Sequence, residues 1–284
     1  MPRFPTALAL LALLASAAQA ETTAQTPAPA APSVAADPVR PDKPAHKPYL
    51  TGAGVPDTVQ ILPAPPASHS TLEAVDRAAF NATRAMKGSP RWEMAATDVA
   101  EGAAAILETF ACVLGTRVDQ ARVPGVITLF ERARLDIAAG TRGPKVHYRR
   151  LRPFVGNEAP ICVQRTQALA DSFSYPSGHA TQGWAYALIM AALVPEKATA
   201  ILARGRAYGE SRVVCGVHWM SDVAAGRTNG SVIFAALVGD AGFRADFERA
   251  RVELSKVLAG ERKAPDQAFC ARESEAVNGP GLEF

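Results

Sequence analysis

The stretch SYPSGHA, residues 174–180, places Ser177, Gly178 and His179 directly ahead of a long apolar run. Free backbone N–H groups and the helix dipole at such a start attract an anion the size of phosphate. Gly178 lets a ligand approach the main chain closely. Two further clusters carry chemistry of the same kind. In KVHYRRLRP, Lys145 and Arg152 stand seven positions apart, about 20° short of two helical turns, so a helix would bring both cations to one face. Pro153 disfavours helical geometry at Arg152, which predicts a helix end there. In SRVVCGVHWMSD, His218 and Asp222 are four apart; on a helix they would meet, and the carboxylate would fix the ring's tautomer. Arg212 is six positions from His218 and on the wrong face, so a break at Gly216 is needed for both to serve one ligand. Taken singly, each cluster has an ordinary explanation: a solvated basic face, a serine cap with an incidental histidine, a helical His–Asp pair. Taken together, two imidazoles, three basic side chains and a helix start are the groups that phosphoryl transfer requires.

Helices must position these groups. Ser70 with Glu73 fits a capping box opening one helix, which Gly88 and Pro90 close. Residues 92–115 read as a second. Val126, Leu129, Phe130, Ala133 and Ile137 recur at helical spacing and mark a third. Residues 180–194, apolar on nearly all sides and stopped by Pro195, predict a central core helix too short for a bilayer. Residues 222–238 and 243–260 add two more. No period-two strand pattern or internal repeat is present, so the predicted fold is all-α, one bundle-like domain.

The ends read differently. Residues 1–20 combine Arg3, an Ala/Leu run and the small residues Ala18 and Ala20, the pattern of a secretory leader. Residues 21–66 are rich in Pro and Ala, predicting a linker and then an extended lead-in whose Tyr49, Leu50, Val59, Ile61 and Leu62 lie along the domain surface. The catalytic unit is assigned to 67–260. Residues 261–284 read as a polar tail without packed structure apart from Cys270. Export makes disulfides the natural state of Cys112, Cys162, Cys215 and Cys270, and the sequence leaves all three connectivities open. No Cys or His spacing suits a metal knuckle. With 284 residues, 48% hydrophobic and a net charge of only +3, the chain supports a sizeable core and lacks the basic stripe of a nucleic-acid binder.

In order and spacing, Lys145-x6-Arg152-Pro153, Pro176-Ser177-Gly178-His179 and Ser211-Arg212-x5-His218-x3-Asp222 resemble the three-part signature of the superfamily of type 2 phosphatidic acid phosphatases and vanadium-dependent haloperoxidases. Within it the chain is most similar to the class A bacterial non-specific acid phosphatases, over about residue 49 to Gly260. Two departures are Phe173, where that class usually shows glycine, and Ala180, where it usually shows threonine; the second removes a hydroxyl beside His179. The resemblance implies His218 as nucleophile, Asp222 as its orienting carboxylate and His179 as the acid for the leaving alcohol. It implies Lys145, Arg152, Ser177, Gly178 and Arg212 as phosphate ligands. It implies no cofactor and no metal. Nucleotides, sugar phosphates and aryl phosphates are the implied substrates, with inorganic phosphate or vanadate as inhibitors. Homodimerisation, an acidic optimum and a periplasmic or secreted location are also implied. The optimum would need the two histidine pKa values pushed apart. Competing readings are a lipid-phosphate phosphatase, a vanadate-dependent haloperoxidase and a non-catalytic exported phosphate-binding protein. His46, His69 and His147 receive no role.

Overall fold

A computed structural model of the chain describes residues 46–278 and Leu282. The leader and the first part of the linker lie outside these residues. Twelve α-helices follow in order: α1 (Thr58–Ile61), α2 (Thr71–Arg84), α3 (Pro90–Thr97), α4 (Ala103–Thr109), α5 (Ala111–Leu114), α6 (Pro124–Tyr148), α7 (Gln167–Asp171), α8 (Gly178–Leu193), α9 (Ala198–Val214), α10 (Met220–Gly239), α11 (Ala241–Ala259) and α12 (Gln267–Asn278). Among the described residues no strand occurs, and no helix is long and apolar enough to cross a membrane.

The expected core helix is α8, which packs against α9 and α10 along most of its length. The approach is close because small residues line the seams. A Cβ on Gly205 of α9 would stand 2.3 Å from the Ala187 methyl of α8. A Cβ on Gly226 of α10 would stand 2.8 Å from the Ser177 carbonyl oxygen and 3.2 Å from the Thr181 nitrogen. These are backbone atoms, and they cannot step aside as a flexible side chain would.

Helix α6 flanks this trio and buries Val126, Leu129, Phe130, Ala133 and Ile137, the five residues predicted from their spacing. It also contains Pro144, which has no N–H to give the Gly140 carbonyl four residues back. Thr58 Oγ1 (2.7 Å) and Asn229 Nδ2 (3.2 Å) supply that hydrogen bonding instead. The proline is thus tolerated because α1 and α10 bring donors to its missing rung.

Four expectations are corrected. The lead-in does not lie along the surface throughout: Tyr49, Leu50 and Leu62 are buried, with the backbone N–H groups of Tyr49 and Leu50 on the Asp136 carboxylate at 2.9 and 3.0 Å. Residues 92–115 form three helices instead of one, interrupted where Asp98 leaves the helix and Gly102 takes φ +93°. Asp98 is pulled inward by Arg204 (2.5 Å) and the Ser211 hydroxyl (2.6 Å). The tail is not loose, since α12 docks through Glu273 on Arg204 at 2.8 Å and through its disulfide. And α6 stops at Tyr148, four residues before Arg152. Arg149 adopts φ +49° and gives its N–H to the Lys145 carbonyl, so Lys145 and Arg152 do not share a helix face. The cysteines pair Cys112–Cys270 and Cys162–Cys215.

Replacing Gly226 with alanine must push α10 away from the Ser177 end of α8. The expected loss is about 1–3 kcal/mol in urea denaturation, with a fall in turnover because Ser177 and Asp222 are carried on the two displaced helices.

Candidate active site

The three motifs meet through backbone hydrogen bonds before any ligand is considered. The Ser174 N–H donates to the Arg150 carbonyl (2.8 Å), and the Ser177 N–H to the Asp222 carbonyl (3.0 Å). The Leu151 carbonyl accepts from both Ser174 Oγ (3.2 Å) and Trp219 Nε1 (2.9 Å). Segments far apart in the chain therefore share a rigid floor.

Ser177 caps α8, its Oγ accepting the Ala180 N–H at 3.3 Å. Gly178 opens the helix and His179 follows in its first turn. Helix α9 ends at Val214, and Gly216 at φ +79° turns the chain. That break, expected from the sequence, lets Arg212 and His218 serve the same place. His218 lies just before α10, and Asp222 in the first turn of α10.

The histidine–carboxylate pair has a defined tautomer. Arg152 Nη1 lies 3.0 Å from His218 Nε2. A guanidinium can only donate, so Nε2 carries the lone pair. The ring proton is then on Nδ1, which faces Asp222 Oδ2 at 3.3 Å. The Trp219 N–H reaches the same oxygen at 2.9 Å. Arg152 also donates to the Val217 and Ser172 carbonyls. Lys145 Nζ donates to the Phe173 carbonyl at 2.5 Å. At Phe173, then, a backbone oxygen touches the site, which makes the side-chain departure there less consequential. Ala180 is wholly buried, with Gly209 and Gly226 against its methyl; packing takes the seat where a hydroxyl was expected.

Arg212 is buried, and its Nε and Nη1 have no hydrogen-bond partner. Buried donors of a charged group are costly when unpaired, and these two are open to an acceptor. Both imidazoles feel the same cations. His218 is pushed well below its ordinary pKa, first by burial and then by Arg152, Lys145 and Arg212. His179 is likewise pushed well down, by burial and by Arg212, against a raising contact with the Val99 carbonyl. The two histidines are therefore not driven in opposite directions as expected; both favour the neutral ring. Burial, with Arg152 beside it, brings Lys145 down to about 7. His179 Nε2 sits 3.2 Å from the Val99 carbonyl and 3.1 Å from Glu101 Oε1, on the loop between α3 and α4.

Sequence reasoning missed three contributors. Arg150, read as part of a solvated basic face, turns inward to Asp222. Asp76 on α2, with no local motif around it, meets Arg150 from the other side. Asp98 holds Ser211, the neighbour of Arg212; the only local hint was an aspartate within a helical pattern. His147 remains exposed. Among the described residues no group of three or more His, Cys, Asp or Glu could hold a metal ion.

Residues 134–244, which span all three motifs, match the family model described as PAP2 superfamily. The chain is 43% identical to an acid phosphatase of Zymomonas mobilis over 221 residues, 78% of this chain and 83% of that protein. It is 34% identical to a non-specific acid phosphatase of Providencia stuartii, over 74% of this chain and 85% of the relative. It is 35% identical to one of Salmonella typhimurium, over 68% and 78%. Such identity over most of both chains, on an all-helical scaffold, means that the chain belongs to the acid phosphatases of the PAP2 superfamily.

Proposed function

We propose that the chain hydrolyses a broad range of phosphate monoesters through a phosphohistidine on His218. The observation that carries this reading is the buried, unpartnered edge of Arg212 in a site where His218 Nε2 keeps its lone pair. In this reading Nε2 attacks phosphorus and the bond to the leaving oxygen breaks. Asp222 accepts the Nδ1 proton's hydrogen bond throughout and offsets the charge that develops on the ring. Lys145, Arg152, Arg212, Ser177 and the Gly178 N–H hold the three phosphoryl oxygens, where the transition-state charge is spread. His179 gives its proton to the leaving alcohol, then takes one from the water that cleaves the N–P bond. Another alcohol in place of water gives phosphotransfer. Because the proposed contacts grip only the phosphoryl group, they leave the alcohol loosely specified, which suits nucleotides, sugar phosphates and aryl phosphates alike. Cationic side chains do the work that metal ions do elsewhere.

Two disulfides favour an oxidising compartment, and with the leader pattern they support export to the periplasm or beyond.

The nucleophile is tested with an aryl phosphate in chelator. His218→Ala is expected to lower turnover roughly 10³-fold or more, and labelled substrate is expected to leave an acid-labile, alkali-stable phosphoryl group on the wild type alone. Normal turnover in the variant refutes the reading.

Lys145 must be charged to hold phosphate, and its value of about 7 places the alkaline fall of kcat/KM near neutrality. Lys145→Arg keeps its charge and is expected to extend kcat/KM to higher pH, whatever its effect on the maximum.

Lys145, His179 and His218 all bind protons more weakly folded than unfolded. The stability they contribute is present above their ordinary values and is lost as pH falls: from about 10.5 to 7 for Lys145, and below about 6.5 for the histidines. Bound phosphate opposes this by favouring the charged forms. Thermal melts are expected to show a larger stabilisation by inorganic phosphate at pH 5 than at pH 7.5; equal shifts would contradict the assignment.

A further inference from the structure

Beyond the groups that face the phosphoryl site, Asp222 has a second set of partners. Its Oδ1 accepts from Arg150 Nη1 at 2.6 Å. The same Nη1 reaches Ser221 Oγ at 2.7 Å, and Nη2 reaches Asp76 Oδ2 at 2.7 Å. Asp76 is itself held by Ser221, whose N–H donates to Oδ1 at 2.8 Å and whose hydroxyl donates to Oδ2 at 2.5 Å. The guanidinium carbon lies 5.4 Å from the centroid of the Trp219 ring, which limits its swing. Asp76 and Asp222 are buried, and the Arg150 side chain is 12% exposed. Three of the five N–H groups of Arg150 are thus committed to two carboxylates and a hydroxyl, which ties it to Asp222 and Asp76, although in the sequence it lies between Lys145 and Arg152.

We infer that Arg150, braced by Asp76 and Ser221, is a positioning residue that holds Asp222 aimed at His218 Nδ1 and favours its carboxylate form. The inference rests on His218 being the nucleophile. It orders the charges His218–Asp222–Arg150–Asp76 in alternation, from the reacting atom to α2. The other groups around the Asp222 carboxylate are the Trp219 N–H, Lys145 from α6, Arg152 from the loop after it, and Tyr175 from the loop before α8. Burial leaves the Asp222 carboxyl above its ordinary pKa, and Arg150 is the foremost group limiting that rise. Without it, Asp222 takes up a proton in the acidic range where the enzyme works. A neutral carboxyl can donate to Nδ1, which leaves the ring proton on Nε2 and removes the attacking lone pair.

The test compares Arg150→Gln, Arg150→Lys and Asp76→Asn with the wild type, using kcat, KM for an aryl phosphate, inhibition by inorganic phosphate, and pH profiles. Arg150→Gln is expected to lower kcat up to about 10²-fold and to move the acid limb of kcat up by about 1–3 pH units. KM and inhibition by phosphate should change little. Arg150→Lys keeps a cation but cannot bridge both carboxylates; it is expected to restore most of the acid limb and only part of kcat. Asp76→Asn leaves Arg150 charged but unbraced, and is expected to lower kcat without moving the limb. If the Gln variant does not fold, the Lys variant decides, because wild-type kcat there overturns the inference. So does an unshifted acid limb in a folded Gln variant. If His218→Ala stays active, the nucleophile assignment fails instead; if it is inactive while the Arg150 variants behave as wild type, only the clamp fails.

Discussion

Gathering Lys145, Arg152 and Arg212 around one point, with part of Arg212 unpaired, is the constraint on which the rest of the molecule depends. Like charges repel, and burial penalises each of them. The cost is visible in the lowered proton affinities of Lys145 and both histidines, and in Arg152, which burial and Arg212 bring down to about 10. Such a cluster persists only if the backbone beneath it cannot relax. The glycine-lined seams of α8 with α9 and α10, and the hydrogen bonds from Ser174 and Ser177 to the neighbouring motifs, supply that rigidity. The packing and the chemistry are thus one requirement: a looser core would let the cations drift apart.

Carboxylates around the cluster are rationed by position. Asp222 stands behind His218, and Asp76 stands behind Arg150. Asp98 is turned to Arg204 and Ser211, with Glu273 closing the far side of Arg204. Asp222 meets His218 directly, Asp98 and Asp76 stand further back behind Ser211 and Arg150, and Glu101 meets His179 from the loop between α3 and α4. Placed directly among Lys145, Arg152 and Arg212, a carboxylate would satisfy them and compete with the phosphoryl group they are proposed to hold. Set one step back, it orients them and leaves their inner edges free. This explains why α12, remote from the motifs, bears on the site: Glu273 offsets Arg204, and Arg204 fixes the Asp98 that holds Ser211, next to Arg212.

The legible part of this arrangement was whatever local spacing encodes. Lys145, Arg152, Ser177, Gly178, His179, Arg212, His218 and Asp222 stood out because their types and intervals repeat a recognisable order. Gly216 stood out because Arg212 and His218 could not otherwise face one point. Core helices α6, α8, α10 and α11 were legible from apolar periodicity and stop signals. What failed to show depends on partners distant in the chain. Arg150 is one of several adjacent basic residues, and nothing local separates an inward arginine from a solvated one. Asp76 is an isolated acid on an amphipathic helix. The break at Asp98 follows from Arg204 and Ser211, over a hundred positions away. Helix α12 looks polar because its buried contacts are a charge pair, a disulfide and the single valine Val277, which packs with Met94 and Ala207, in place of an apolar stripe.

The neutral state of both histidines bears on how the proposed reaction obtains its proton. One imidazole was expected to begin charged, yet burial and the cations push both the other way. The asymmetry then has to come with the substrate. A phosphate monoester entering among Lys145, Arg152 and Arg212 brings negative charge beside His179 and offsets the positive field that had been expelling its proton. His218 is held differently, with Nδ1–H committed to Asp222 and the Nε2 lone pair on the phosphoryl side, so it is placed to attack and His179 to acquire charge. Binding and proton uptake are one event in this scheme. Acidic conditions favour it because they keep Lys145 charged and supply that proton, while the Asp222 carboxylate holds the ring proton on Nδ1 and leaves the attacking nitrogen unprotonated.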